Sequence, residues 1–378
     1  VPLSSGGNYT VVGNIIFQLD NPTPDPVGGF EVNLIGANVN GFIENAGSPL
    51  DPGSAVRYMI NIIDCDIQGH VYLATFGAAN VGDRISCNLY YSTFHSNVKV
   101  SSSLEVIGNF FNNDNFSVPY VDFTLYDCEY FWIDPNSTVK IIANNFTNYH
   151  TAFIIPHNDI DKLLIANNYF HLNGNTPSDV YDYSLCQLSN ATVEAVIENN
   201  TFKRVNGQEF PGTIVKQSNS PPTSLTFRNN IVFDKHYANN FNRFDYENAS
   251  GAFFLENNFF NHTFPAGNAQ NSSNWWNNLP SIRVISENIY STSLYWASHP
   301  FDGQGFFDPN QSSAAAAALQ QIIDAGKDII DCRDIDDTRN DIGRLGGPHS
   351  YDNYHLNNTS GQARVIDIDI PYIIYPLP

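Results

Sequence analysis

Short apolar runs recur along the chain, and several end in the same phrase: an apolar residue, any residue, two asparagines and an aromatic. It reads Ile142-Ala143-Asn144-Asn145-Phe146, then Ile165-Ala166-Asn167-Asn168-Tyr169-Phe170 and Ile197-Glu198-Asn199-Asn200-Thr201-Phe202. It returns at Phe227-Arg228-Asn229-Asn230 and Leu255-Glu256-Asn257-Asn258-Phe259-Phe260, and fades at Ile285-Ser286-Glu287-Asn288-Ile289-Tyr290. Partial copies stand earlier, at Val11-Val12-Gly13-Asn14-Ile15 and Ile107-Gly108-Asn109-Phe110-Phe111. From Asn145 to Asn288 the second asparagines are 23, 32, 30, 28 and 30 residues apart. Such a period signals stacked repeats, each resting on its neighbours. The apolar runs have strand character, as in Val139-Lys140-Ile141-Ile142, and Asn, Gly, Ser, Pro and Asp fill the intervals. Long i, i+3, i+4 patterns are missing, and the uneven spacing does not suit propeller blades. The pattern predicts a parallel β-helix, one coil per repeat, with loops of variable length at the corners.

In that fold the asparagines have a physical task. An amide offers donors and acceptors, and stacked copies about 4.8 Å apart can bond above and below. Asparagine also accepts the left-handed backbone of a sharp corner. Asn145, Asn168, Asn200, Asn230, Asn258 and Asn288 are therefore expected to form a ladder, with Phe170, Phe202, Phe260 and Tyr290 pointing inward in a row.

The division expected is a β-helix over 1–300, a cap over 301–361 and an extended tail over 362–378. Asn310-Gln311-Ser312-Ser313 before five alanines, with Gly326 beyond, predicts a short capped helix ended by glycine. Arg364-Val365-Ile366-Asp367-Ile368-Asp369-Ile370 alternates, placing Ile366, Ile368 and Ile370 on one face ahead of Pro371 and Tyr372. An apolar arm of this kind packs along its own coils or adds to a neighbouring molecule. Trp275-Trp276 offers a surface for a sugar or a partner chain, or a cover for the coils.

The formal net charge is −21, from 17 basic and 38 acidic residues, which disfavours nucleic acid, anionic membranes and polyanionic glycans as partners. No apolar run is long enough to span a bilayer. A first residue that is not Met suggests a processed, secreted form. Twelve Asn-x-Ser/Thr tripeptides point the same way. Asn8, Asn115, Asn136, Asn190, Asn248, Asn261, Asn271, Asn310, Asn357 and Asn358 are the candidate glycan carriers. Asn145 and Asn199 fall within the repeated phrase, where burial would forbid a glycan.

Five cysteines show no zinc-like spacing. Cys65 and Cys87 stand about one coil apart and are disulfide candidates, as are Cys128 and Cys186; Cys332 is then left over, as a buried thiol or an interchain partner. The ten histidines form no metal-like cluster, though His349 and His355 flank Asp352.

The stretch after the predicted helix carries a resemblance. Asp324-Ala325-Gly326, Asp334, Asp336, Thr338-Arg339-Asn340-Asp341-Ile342-Gly343 and Gly346-Gly347-Pro348 match the closing phrase of secreted right-handed parallel β-helix repeat proteins of the pectate-lyase-like superfamily. Asp337, Arg344 and Leu345 stand where that phrase has Gly, Ala and Tyr. The phrase covers about 30 residues, and the asparagine repeat supports the same fold over most of the remainder. Many such proteins are surface, adhesive or filament-forming, without known activity. Physically, the segment reads as a clasp in which Arg339 pairs with Asp334, Asp336 or Asp341, although these acids could alternatively hold Ca²⁺.

Polysaccharide-cleaving enzymes of this fold carry clustered acids with a Gly-His-Gly and an Arg-x-Lys, and neither tripeptide occurs here. The expectation is an all-β right-handed parallel β-helix with a short helix, a clasp and a tail. Its expected role is as a structural, self-associating subunit of an extracellular glycoprotein filament, with no cofactor and no catalytic residues. The alternatives are a glycoside hydrolase or lyase acting through carboxylates on separate coils, and a monomeric glycan-binding adhesin.

Overall fold

The computed structural model describes residues 9–18, 29–46, 57–73, 85–101, 105–112, 122–126, 138–147, 151–154, 162–173, 184–189, 194–205, 213–218, 224–234, 244–246, 251–261, 276–277, 282–290, 301, 307–329, 332–334 and 338–350. These residues form a parallel β-solenoid. Its three sheets are A, with eleven strands from Tyr9–Val11 to Ile289–Tyr290; B, with ten from Ile15–Gln18 to Trp276–Asn277; and C, with ten from Gly29–Ile35 to Ile282–Ser286. Each turn of the chain visits C, A and B in that order, and every strand pairs in parallel with its counterpart one turn away.

Alternation within the strands explains the core. In sheet C, Val139 and Ile141 pair with Leu163 and Ile165, then with Ala195 and Ile197, and all point inward. In sheet A the inward position is aromatic over many turns. Phe94, Phe111, Phe146, Phe170 and Phe202 stack with ring centroids 4.7–5.1 Å apart. Val232 interrupts the column before Phe260 and Tyr290 resume it at 5.7 Å. Burying each such ring contributes about 2–3 kcal/mol, and offset stacking adds to it.

The connection from C to A is the tight corner. From the second turn on it holds two residues between strands, the first of them left-handed: Asp64, Tyr91, Gly108, Ala143, Asn167, Asn199, Asn229, Asn257 and Glu287 all have φ between 49° and 68°.

Helix α1 spans Ser313–Ile322, and its N-terminus is capped by Ser312 Oγ, which accepts from the Ala315 amide at 3.0 Å. The expected glycine stop is replaced: Ile323 is the C-cap, and Asp324, at φ 52°, takes the left-handed position. The helix buries Ala318 and Ile322 with Phe301 and Phe307 against Ile231, Phe233 and Phe259, the outward residues of sheet A in the late turns. The tail and arm (Ile366, Ile368, Ile370, Tyr372) lie outside the described residues.

Candidate functional site

The C-to-A corner concentrates the polar chemistry of the molecule, and its two asparagines have different tasks. The second forms the ladder. Asn168 donates from its backbone amide (2.9 Å) and its Nδ2 (3.0 Å) to Oδ1 of Asn200, one turn on. Its Nδ2 also reaches back to the Ile141 carbonyl at 2.7 Å. Asn200, Asn230 and Asn258 repeat this toward Asn230, Asn258 and Asn288. Each side chain thus ties together three consecutive turns, which satisfies buried groups that would otherwise be costly.

One member expected in the ladder is corrected. In the turn before Asn168 the ladder residue is Asn144, whose backbone amide and Nδ2 both bond Asn168 Oδ1 at 2.9 Å. Asn145 instead opens the strand Asn145–Thr147, where its Oδ1 accepts from Thr147. The phrase there is one residue short, so Ala143 takes the left-handed place. The inward aromatic carried the signal: it follows the ladder residue by two, as in Asn168 to Phe170, and two before Phe146 is Asn144. Asn109 extends the ladder upstream through Asn144, and Ser92 and Cys65 occupy the place before it.

The first asparagines face outward and hold Ala325, Lys327 and residues 340–346. Asn257 Nδ2 bonds the Ala325 carbonyl at 3.4 Å, and Asn229 accepts from the Lys327 amide at 2.8 Å and the Gly343 amide at 2.7 Å. Asn199 Nδ2 donates to Asn340 Oδ1 and the Asp341 carbonyl, both at 2.8 Å, and Asn340 Nδ2 returns a bond at 3.2 Å. Asn167 Nδ2 reaches the carbonyls of Arg344 (2.9 Å) and Gly346 (2.6 Å). Glycine is required where the approach is closest. A Cβ on Gly343, at φ 97°, would stand 2.4 Å from Ile231 Cδ1, and one on Gly346 1.9 Å from the Asp341 carbonyl oxygen. Sequence reasoning gave both tasks to one asparagine and missed this outward row, although the doubling of the residue was its signal.

Within that segment Arg339 is found on main chain rather than on Asp334 or Asp341, two of its three expected partners. Arg339 donates from Nε to the Gly326 carbonyl at 2.7 Å and stands 4.0 Å from Glu287. Asp334 accepts from the backbone amides of Asp341 and Gly347, and Asp341 from that of Asp324. These carboxylates organise main chain through those amides. Asp336 lies outside the described residues, as do His355 and Asp352. Among the described residues, no group of three His, Cys, Asp or Glu is placed to hold a metal ion.

Beside the corner, the outward face of sheet C carries a charged row, Glu198, Arg228 and Glu256, on consecutive turns. Arg228 Nε and Nη2 both reach Glu198 Oε2 at 2.7 Å, and Lys327 Nζ reaches Glu256 Oε1 at 2.7 Å. Burial alone would lower the Arg228 guanidinium, but Glu198, Glu256 and the buried Cys332 beside it hold it above its ordinary value. This row was not anticipated. A second amide array, Asn33–Asn61–Asn88, crosses the same sheet near its start.

Cys65 and Cys87 are free thiols, which corrects the expected bridge. One turn here is 27 residues, since Cys87 pairs with Ile60, so Cys65 at the corner does not face it. Burial pushes the Cys65 thiol up to about 11 and raises that of Cys87 further. Cys186 lies in the strand Ser184–Ser189, and Cys128 is outside the described residues. Among the candidate glycan carriers, Asn310 is exposed. Asn261 is corrected: it is 1% exposed, which leaves no room for a sugar on its amide. Asn199 is as deeply buried. Asn8, Asn115, Asn136, Asn190, Asn248, Asn271, Asn357 and Asn358 lie outside the described residues. Trp276 pairs with Phe244 in sheet B, and Trp275 is not described.

No helix among the described residues is long and apolar enough to cross a membrane. No family model, curated protein or solved structure matches this chain.

Proposed function

We propose that the chain is a structural subunit of an extracellular assembly, of the secreted right-handed β-helix type its closing phrase resembles, and that copies associate through the ends of the stack. The observation that carries this reading is the first turn. Tyr9–Val11, Ile15–Gln18 and Gly29–Ile35 are each the last strand of their sheet, with one edge unpaired among the described residues. Core-side Val32 there is 38% exposed, and Val11, Ile15, Phe17 and Leu34 are only partly buried. Such an edge is a template for further strands. The engagement of Glu198 and Glu256 with Arg228 and Lys327 favours a scaffold over carboxylate catalysis. Asn310 supplies the described surface position for a glycan.

Light scattering with electron microscopy on the full chain is the test. Concentration-dependent, end-to-end particles are expected, and Val32→Lys should weaken their association at least about tenfold, since a charge would have to be buried in the joint. Strictly monomeric material at high concentration, or assembly indifferent to Val32→Lys, would sink the idea. Turnover of a neutral glycan by purified protein would replace it with an enzymatic one.

A further inference from the structure

The docked segment, which carries Ala325, Lys327 and residues 340–346, covers a place where hydrogen bonding is incomplete. Asn229 Nδ2 is a donor without an acceptor among the described residues, and Asn257 Oδ1 is an acceptor without a donor. Their residues are 0% and 1% exposed. They hold the same corner position on consecutive turns, with φ 54° and 51°. Turning an amide over relieves neither. Asn229 Oδ1 is fixed by the Lys327 amide at 2.8 Å, so the turned side chain would set donor against donor. Asn257 Nδ2 donates to Glu287 Oε2 at 2.9 Å and toward the Ala325 carbonyl at 3.4 Å, so the turned side chain would set acceptor against acceptors.

One turn earlier, the same demand is met by protein. Asn340 accepts from Asn199 Nδ2 at 2.8 Å and donates to Asn199 Oδ1 at 3.2 Å, so one carboxamide serves both ways. At Asn229 and Asn257 the docked segment presents Gly326, between the two residues that these asparagines bind, and glycine has no polar side chain to offer. A larger residue does not fit there. A Cβ on Gly326 would stand 2.7 Å from the Asn340 carbonyl oxygen and 3.1 Å from Asn229 Oδ1.

We propose that this rung of the outward row binds one ordered water, which accepts from Asn229 Nδ2 and donates to Asn257 Oδ1. The donor set selects water over an ion. A cation would suit Asn257 Oδ1 but repel the Asn229 amide hydrogens, and an anion would do the reverse. The spacing suits a single molecule: successive turns are about 4.8 Å apart, and two groups each about 2.9 Å from a tetrahedral water lie about 4.7 Å apart. Buried waters occupy sites of this kind, where polar groups of the protein are otherwise unsatisfied. Glu287 adds to the effect, because its carboxylate polarises the Asn257 amide and makes Oδ1 the better acceptor. The water therefore joins two turns where the docked segment touches both. The site lies within one chain and is independent of the assembly reading.

A high-resolution crystal structure of the full chain tests this on the unaltered protein. Density for a single oxygen about 2.7–3.2 Å from both atoms is expected. Direct contact between the two amides, or no density between them, would overturn the proposal. So would a peak about 2.3–2.6 Å from Asn257 Oδ1, which is the distance of a metal ion. In solution, with nitrogen-labelled asparagine, the Asn229 side-chain amide should show a nuclear Overhauser cross-peak to water with the sign of a long-lived site. Asn257→Gly keeps the left-handed backbone and removes the acceptor, and it should shrink that cross-peak several-fold. A cross-peak of full size in the variant, or none in the parent protein, counts against the bridge.

Discussion

At the residue scale, two neighbouring asparagines with the same side chain have separable consequences. Removing the amide of Asn200 withdraws the acceptor for the Asn168 amide and Nδ2 and a donor to the Ile165 carbonyl, all in buried surroundings. Each unsatisfied group costs about 1–3 kcal/mol, partly relieved by relaxation, so Asn200→Ala is expected to lower unfolding free energy by about 2–4 kcal/mol in a denaturant titration. Asn199→Gly keeps the left-handed backbone and deletes only the bonds to Asn340, Asp341 and Gly343. That change should speed amide exchange over 340–347 with little effect on the strands around it. If both substitutions gave the same global loss, the separation of tasks would be wrong. The ladder was legible in the sequence because a repeated polar residue at a strand end has few other uses. The one-residue slip at Asn145 arose because the shortened phrase kept its appearance while losing its spacing to Phe146. The outward row was signalled only by the doubling of the asparagine, and its partners were not legible, because Asn340, for one, lies 141 residues from Asn199.

At the scale of elements, the same sheet serves two faces, and only one is announced by periodicity. The inward column of sheet A was foreseen from its aromatics. Its outward column in late turns is also apolar, because α1 and the Phe301–Phe307 pair cover it. At the margin of that covered face, His171 stacks on Tyr169 with ring centroids 5.6 Å apart and is paired across the sheet with Lys203, which lies over the Phe301 ring. Burial, and secondarily the Lys203 charge, lower the His171 imidazole to about 3. A histidine with a depressed folded value binds fewer protons folded than unfolded between that value and about 6.5. Its contribution is therefore intact above pH 6.5 and is lost progressively as pH falls toward 3, at about 1 kcal/mol per pH unit. His171→Asn should flatten the fall in unfolding free energy between pH 6.5 and 4.5, measured in urea. An acid limb as steep as that of the parent protein would mean that His171 is protonated in the folded state.

Over the whole molecule, a solenoid's stability is a sum of turns and of joints between neighbours, and here the joints are unequal. Between Asn168 and Asn200 the corner supplies two bonds to one Oδ1 and another from the Asn200 amide back to Ile165. Between Cys65 and Ser92 it supplies one, from the Cys65 amide to Ser92 Oγ. The docked segment adds bonds at the corners from Asn167 through Asn257. Early joints compensate on the surface, with His70 to Glu44 at 2.6 Å and His95 to Asp66 at 2.9 Å, but these side chains are partly exposed and each such pair is worth a fraction of a kcal/mol. A net charge of −21 adds self-repulsion along the whole stack. Opening should therefore be graded rather than all-or-none, beginning at the turns that lack the ladder. Hydrogen exchange followed by mass spectrometry is expected to show the strands Asp66–Ile67 and Thr93–Phe94 losing protection before Thr201–Val205 and Ile231–Asp234, with opening free energies lower by about 1–2 kcal/mol per joint for the missing amide bonds. Adding salt should narrow the gap only slightly, because hydrogen bonds rather than charge create it. Uniform protection from end to end, or earlier loss at the asparagine turns, would show that the apolar column alone sets the stability of each turn and that the ladder serves register instead.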